Sequence, residues 1–198
     1  MLTHVRIFLL LTIASVLFVA CDTEKGPAEL AIKAAEQAVT AAKGEAAKYV
    51  PDQLKSVEAA LTSVKEQFAK GDYKATLAGA QDLATKTKDL LSAASAKKDE
   101  LTKSWGEMSG GVEGMTTALK SRVDMLSSSK KLPANLTADT LASAKTGLAT
   151  ITQEWTAASE AFKSGNLADA VAKATGVKTK AAEIMTSLGM TVPSAAKS

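Results

Sequence analysis

The stretch LKSVEAALTSVKEQFAKGDYKATL, residues 54–77, contains the pattern that decides the fold. Its large apolar residues recur at alternating spacings of three and four, a seam with a period of about 3.5 residues that is typical of packed helices. These seam residues are Leu54, Val57, Leu61, Val64 and Phe68. Gly71 then suits a helix C-cap, and Asp72 can cap the next helix through its carboxylate. The stretch therefore predicts two helices joined by a tight turn.

Apolar residues at helical spacing continue through the rest of the chain, and alternating strand-like runs do not occur. Pro51 and Pro133 separate the segments. The further apolar positions are Leu30, Ile32 and Val39; Tyr73, Leu77, Ala80, Leu83 or Ala84, Leu90, Leu91 and Ala94; Val112, Met115, Leu119, Val123 and Leu126; Leu141, Ala144, Leu148, Ile151, Trp155, Ala158 and Phe162; and Leu167, Val171, Ala174, Ala181, Ile184 and Leu188. We predict an all-α protein, an elongated antiparallel helical bundle.

An internal repeat suggests how this bundle is built. A shift of 94 residues superposes FAKGDY, residues 68–73, on FKSGNL, residues 162–167, together with the seams on either side. Each copy predicts a long αα-hairpin, and such a hairpin buries its apolar seam only against other helices. The turn, with Ala75 and Ala80 after it, resembles tetratricopeptide-like hairpins. The copies are much longer than the roughly 34-residue unit of that family, so no binding residues are carried over from it.

Glycines divide the two predicted hairpin regions. Four of them fall within GEMSGGVEG, residues 106–114. Because one glycine inside a helix costs about 1 kcal/mol relative to alanine, four predict a loop or hinge. The expected organisation is therefore a first hairpin region at 27–105, a glycine-rich loop at 106–114, a second hairpin region at 115–190 and a flexible tail at 191–198.

The N-terminal segment has a different character from the rest of the chain. Residues 1–6 include one firm positive charge, Arg6, and the 14 residues from Ile7 to Ala20 carry no charge. Crossing about 30 Å of hydrocarbon requires roughly 20 residues of helix. A basic head, a short apolar centre and a small residue before a cut are typical of a secretory signal peptide, so we predict one at 1–20.

The residues that end this segment resemble a known cleavage signal. Leu17-Phe18-Val19-Ala20-Cys21 resembles a bacterial lipobox, with Phe18 where that pattern usually has leucine. The resemblance implies cleavage before Cys21 and lipidation of Cys21, with palmitate among the acyl chains. Residues 21–26 would then form a lipidated tether, and two or more chains give stable anchoring.

The resemblance also implies a location outside the cytoplasm. The protein would be anchored to the cell membrane or the outer membrane, with the periplasmic side favoured. Asp22 follows the predicted lipidated residue, and in enterobacterial lipoproteins an aspartate there resembles a signal for inner-membrane retention. The alternative is that Asp22 only begins a solvated tether.

Composition excludes several function classes. Removal of residues 1–20 leaves 23 basic and 21 acidic residues, with no histidine and no second cysteine. This near-neutral, interspersed charge does not suggest a phosphate-binding surface, so nucleic acid is not an expected partner. The usual general base and the usual zinc or copper ligands are missing as well. We therefore predict no catalytic residues, no cofactor and no metal.

Short matches to catalytic and ligand-binding motifs do not change this prediction. Ser95, Ser127 and Ser194 each precede a lysine by three residues, and Lys145-Thr146-Gly147 resembles an element of penicillin-recognising acyl enzymes. Those enzymes require the latter on a strand and also a Ser-Asp-Asn element, which this sequence lacks. A calcium loop requires a fixed spacing that is absent at Asp99, Glu100 and Glu107. We therefore predict that these carboxylates lie on a face of a helix exposed to solvent.

Few residues stand out as a binding site. The predicted mature chain has six aromatic residues: Tyr49, Phe68, Tyr73, Trp105, Trp155 and Phe162. Trp155 lies on an apolar seam, so we predict that its side chain is buried in the core. Trp105, beside the glycines, is the candidate for a partner contact. We expect a membrane-anchored helical lipoprotein with a binding, scaffold or structural role and a protein partner in the cell envelope. The alternatives are an amphipathic membrane-surface or stress-protective protein, and a carrier of an apolar ligand.

Overall fold

A computed structural model describes residues 24–193. Within this range 86% of the residues are helical, in five helices and no strands, which confirms the all-α class. The helices are α1 Lys25–Tyr49, α2 Pro51–Ala69, α3 Tyr73–Ser128, α4 Ala138–Lys163 and α5 Leu167–Ser187. The chain divides into two compact units between Lys97 and Lys98, so α3 contributes residues to both.

The first unit, residues 24–97, packs α1, α2 and the first part of α3 around a narrow core. The predicted seam of α2 is confirmed, with Leu54, Val57 and Val64 buried. They pack against α1 and α3 in two clusters, whose other buried members are Ala35, Val39, Ala42, Ala46, Leu83 and Leu90, and Ile32 and Ala80. The core residues of α1 follow a regular alternation of four and three, and most of them are alanines.

The second unit, residues 98–193, packs the remainder of α3 against α4 and α5. All five apolar residues predicted between Val112 and Leu126 are buried. Their cluster also contains Leu136, Ala144, Ile151, Val177, Ala181, Met185 and Leu188. The N-cap of α4 is Thr137, whose hydroxyl accepts a hydrogen bond from the Thr140 N–H at 3.1 Å. A side-chain oxygen at this position satisfies one of the unpaired N–H groups at a helix start.

The two turns related by the 94-residue shift have the same backbone hydrogen bonds. Gly71 donates to the Phe68 carbonyl at 2.9 Å, and the next N–H donates to the carbonyl of residue 67 at 3.0 Å. Gly165 and its successor make the equivalent bonds to Phe162 and residue 161 at 3.0 and 2.9 Å. Both glycines have φ of +79°, the left-handed conformation of a Schellman motif. Asp72 caps α3 as predicted, accepting the Ala75 N–H at 3.0 Å.

Substitution of either turn glycine should destabilise its own unit. We expect Gly71→Val and Gly165→Val each to lower the free energy of unfolding by about 1–2 kcal/mol, because a Cβ is penalised at positive φ. Thermal and urea denaturation followed by circular dichroism would measure the loss. Gly44→Ala is the matched control, because Gly44 is helical and a Cβ there meets open space. Two neutral valine variants would contradict the turn assignment.

The loop predicted at 106–114 is wrong, since α3 continues through all four glycines. The apolar residues of this stretch keep helical spacing: Val112 and Met115 are buried, and Met108 is partly buried. The glycines themselves are exposed. Burial of one face of the helix therefore outweighs the cost of about 1 kcal/mol for each glycine.

The assignment of two apolar residues to core seams is also wrong. Leu30 is 68% exposed and Leu91 is 44% exposed. In α1 the core face is formed by Ala28, Ile32, Ala35 and their successors, so Leu30 lies on the opposite side of the helix. The regularly spaced alanines of α1 therefore determine which face of this helix is buried. Alanine is only weakly hydrophobic, so the sequence pattern provides little indication of this face.

The ends of the chain fit the predicted boundaries only in part. Residues 25 and 26 of the tether predicted at 21–26 are helical, because α1 begins at Lys25 and contains Pro27 in its first turn. Proline is compatible with that turn, whose N–H groups have no partner within the helix. Residues 191–193 follow α5 without regular structure. The predicted signal peptide at 1–20, Cys21 and the rest of the predicted tail lie outside the described residues.

Candidate functional site

Three aromatic rings form a stack in the second unit. Trp105 lies on α3, and Trp155 and Phe162 lie two turns apart on one face of α4. The Trp105 ring stacks on Trp155 with centroids 5.2 Å apart and planes 4° apart, and on Phe162 at 4.7 Å and 10°. All three side chains are only partly buried. The stack thus joins α3 to α4 and leaves aromatic surface open to solvent.

Such a surface is chemically suited to protein recognition. Aromatic residues are enriched at protein interfaces, because a rigid ring contributes a large contact area at a low cost in side-chain entropy. The sequence predicted Trp155 to be core and Trp105 to be a partner contact. The structure brings the two together, so any partner that touches Trp105 meets the edge of a preformed stack.

A shallow apolar groove lies one to three turns further along α3. It encloses about 240 Å³. Its α3 side is formed by Met108, Gly110, Gly111, Val112, Gly114 and Met115, with Glu107 at the margin, Lys178 on α5 and Pro193 beyond α5. A Cβ added at Gly110, Gly111 or Gly114 would meet nothing within 4 Å. The three glycines therefore form an open depression on the helix surface.

The groove and the stack lie on the same stretch of α3 but on different sides of it, because Gly114 lies nine residues after Trp105, about 180° around the helix. Residues 105–115 span about 15 Å at the rise of an α-helix. Between them Met108 contacts α5, where the Thr175 hydroxyl lies 3.6 Å from its sulfur. We refer to the stack and the groove together as the α3 surface. It combines exposed aromatic edges, methionine and glycine backbone, which are suited to binding a helix or another apolar element.

The residues that matched catalytic motifs lie on helix surfaces. Lys145 and Thr146 are exposed on α4, and the Thr146 hydroxyl donates to the Ala142 carbonyl at 3.3 Å. The Ser127 hydroxyl donates to the Val123 carbonyl at 2.6 Å. Ser95 is exposed on α3, and Ser194 lies outside the described residues. A Lys-Thr-Gly element on a helix does not have the strand position that the acyl enzymes require.

The acidic residues considered as metal ligands are spread along α3. Asp99, Glu100 and Glu107 are all exposed, and Glu107 approaches Lys103 at 3.8 Å. Among residues 24–193, no group of three or more histidine, cysteine, aspartate or glutamate side chains is placed to hold a metal ion. In the same range, no helix combines the length and the apolar character needed to cross a membrane.

Comparisons with protein families, with curated proteins and with solved structures find no match to this chain.

The sequence indicated only part of the α3 surface. The glycines at 110 and 114 were visible but were assigned to a loop, and Trp105 was assigned to the end of the first hairpin region as a candidate partner contact. Lys178 and Pro193 carried no sequence signal, because only the packing of α5 against α3 brings them to the groove. Phe162 was predicted as a seam residue. Its contact with Trp105 depends on how α4 is rotated about its axis when it packs against α3.

Proposed function

We propose that this protein is a lipid-anchored lipoprotein of the cell envelope, held through Cys21, whose helical units act by binding rather than by catalysis. The observation that carries the proposal is the uncharged run of residues 7–20, which ends in Val19-Ala20. It is followed directly by Cys21, the single cysteine of the chain. The start of α1 at Lys25 supports it, because this helix begins four residues after the predicted anchor. Membrane attachment would then need no spanning helix.

The α3 surface is the proposed site for a protein partner. Its support is the partly exposed stack of Trp105, Trp155 and Phe162 beside an apolar, glycine-lined groove. Interface energy is concentrated in a few aromatic anchors, and glycine allows another backbone to approach closely. A helix or extended segment of an envelope protein fits this chemistry.

We further propose that the chain arose from two copies of one αα-hairpin, α2–α3 and α4–α5. The support is the equivalent pair of turns, with the same φ at Gly71 and Gly165 and matching hydrogen bonds at both. Superposition of the two hairpins after residues 68–73 are aligned on 162–167 is the test. The aromatic stack joins the two proposed copies, because Trp105 lies on α3 and Trp155 and Phe162 lie on α4.

A second candidate function, the carriage of a small apolar ligand, is favoured by the same groove. Its volume of about 240 Å³ lies below the range of roughly 300–1,000 Å³ of most ligand pockets. A short hydrocarbon segment fits this size, whereas a complete lipid does not.

Crosslinking in the native cell, followed by isolation of the membrane fraction, tests the proposed partner contact. We expect Trp105→Ala to reduce the yield of the crosslinked product several-fold, because it removes the central ring of the stack. Leu91→Ala is the matched control, since Leu91 is also an exposed apolar residue of α3 but lies in the first unit. Helical content and thermal stability should be measured for both variants. An unchanged yield for a folded Trp105→Ala protein would contradict the proposed contact.

A further inference from the structure

The outer face of α1 is exposed and uncharged over most of its length. Opposite the core of the first unit, Leu30, Ala34, Gln37, Ala41 and Gly44 are all exposed. They alternate at spacings of four and three, as the core residues on the other side of the helix do. The 15 residues from Leu30 to Gly44 cover about 21 Å of helix. Helix α1 thus has a second regular face, which nothing in the first unit covers.

The other helices of the first unit differ in this respect. The outer face of α2 carries Asp52 and Glu66, and that of α3 carries Asp82 and Asp89, all of them exposed. Charged residues on an outer face are the usual arrangement for a helix that faces water. Within the first unit, the absence of charge is specific to α1.

The four charged residues of α1 from Glu29 to Lys43 all form ion pairs. Lys33 pairs with Glu29 on α1 at 3.0 Å. Two further pairs lead away to α2, Glu36 with Lys65 at 2.5 Å and Lys43 with Glu58 at 2.8 Å. No charged residue lies among the outer-face positions from Leu30 to Gly44, and the next position on that face is Lys48.

The position of α1 in the chain identifies what covers it. Its first residue, Lys25, lies four residues after Cys21, a distance of at most about 14 Å for an extended chain. We propose that α1 lies along the membrane surface through this outer face, with Leu30 directed towards the acyl boundary. The inference rests on the proposed lipidation of Cys21 and names the surface of the protein that the membrane meets.

Because the proposed anchor holds α1 near the membrane, a weak contact between α1 and the membrane is sufficient. A free helix with one exposed leucine lacks the apolar face of an interfacial helix. A helix joined to its membrane by a few residues is held at a high local concentration, so little additional affinity is needed for it to rest there. The uncharged face removes the main opposing cost, the desolvation of charged side chains.

Site-specific labelling of the full-length lipidated protein tests this orientation. Because the Cys21 sulfur would be blocked by lipid, an introduced cysteine is the only reactive thiol. We would label Leu30→Cys and Gln37→Cys with an environment-sensitive fluorophore in vesicles of phosphatidylethanolamine and phosphatidylglycerol. The matched control is Thr85→Cys, on the outer face of α3 in the same unit. We expect blue-shifted emission and several-fold lower access to an aqueous quencher at residues 30 and 37 than at 85.

The outcomes separate this inference from the anchor itself. Protein that does not float with the vesicles would overturn the lipidation of Cys21. Protein that floats, with equal quenching at all three positions, would overturn only the orientation of α1. Protection at residues 30 and 37 that disappears when the protein is diluted in lipid would show that a second copy covers this face, and it would also overturn the proposal.

Discussion

Replacement of Cys21 by serine is expected to release the protein from the membrane or to leave the precursor uncut. A serine hydroxyl does not form the thioether that the lipobox resemblance implies, so neither lipidation nor cleavage before residue 21 would follow. Each buried CH₂ of an acyl chain contributes about 0.8 kcal/mol, so the loss of all chains leaves no stable attachment. Fractionation of cells and the intact mass of the protein would show either an uncut precursor or a soluble form.

Thr23→Ser is the matched control for this experiment, because it changes a neighbouring residue and leaves the cysteine in place. Its membrane fraction should equal that of the unaltered protein. A mature protein with an unmodified N-terminus at another residue would contradict the proposed anchor, as would full membrane retention, after salt washing, of a Cys21→Ser protein that has been cut.

Replacement of the four glycines of α3 by alanine is expected to stabilise the second unit. Gly106, Gly110, Gly111 and Gly114 are helical and exposed, and a Cβ at each meets open space. Each substitution contributes up to about 1 kcal/mol in helix propensity, so the quadruple variant should gain about 2–4 kcal/mol in free energy of unfolding. For a unit of this size, the melting temperature should rise on the order of 10–20 °C.

Gly147→Ala is the comparison for this variant. A Cβ at Gly147 would lie 2.7 Å from the Ile184 Cδ1, so the gain in propensity is opposed by repacking. We expect the quadruple variant also to lose its crosslinked partner, because three of the new methyl groups fill the groove. A variant that gains stability and keeps the partner would exclude the groove from the binding surface, and one that gains no stability would contradict the continuous helix.

The regular seams explain why the fold class could be predicted. Leu54, Val57 and Val64 are large, evenly spaced and buried, and Gly71 adopts the left-handed conformation that its position after the seam predicts. Spacing of this kind reports the helical period directly. Local chemistry was therefore sufficient for the helices and for the turn that joins α2 to α3.

The remaining features depend on packing that local patterns do not encode. Leu30 is the larger side chain, yet Ala28 and Ala35 set the buried face of α1 because they allow α2 and α3 to approach closely. At the glycines of α3, counting helix propensities predicted a loop, whereas the buried Val112 and Met115 hold the helix. The α3 surface was unpredictable for the same reason, since its second wall comes from α5.

The alanine-rich core of α1 has a thermodynamic consequence for the first unit. Ala28, Ala35, Ala42 and Ala46 are buried, but each removes little apolar area from water. The heat-capacity change of unfolding scales with the apolar area that becomes hydrated, and it sets the curvature of stability against temperature. The alanine positions of α1 therefore lower the heat-capacity change of the first unit and flatten its curve of stability against temperature.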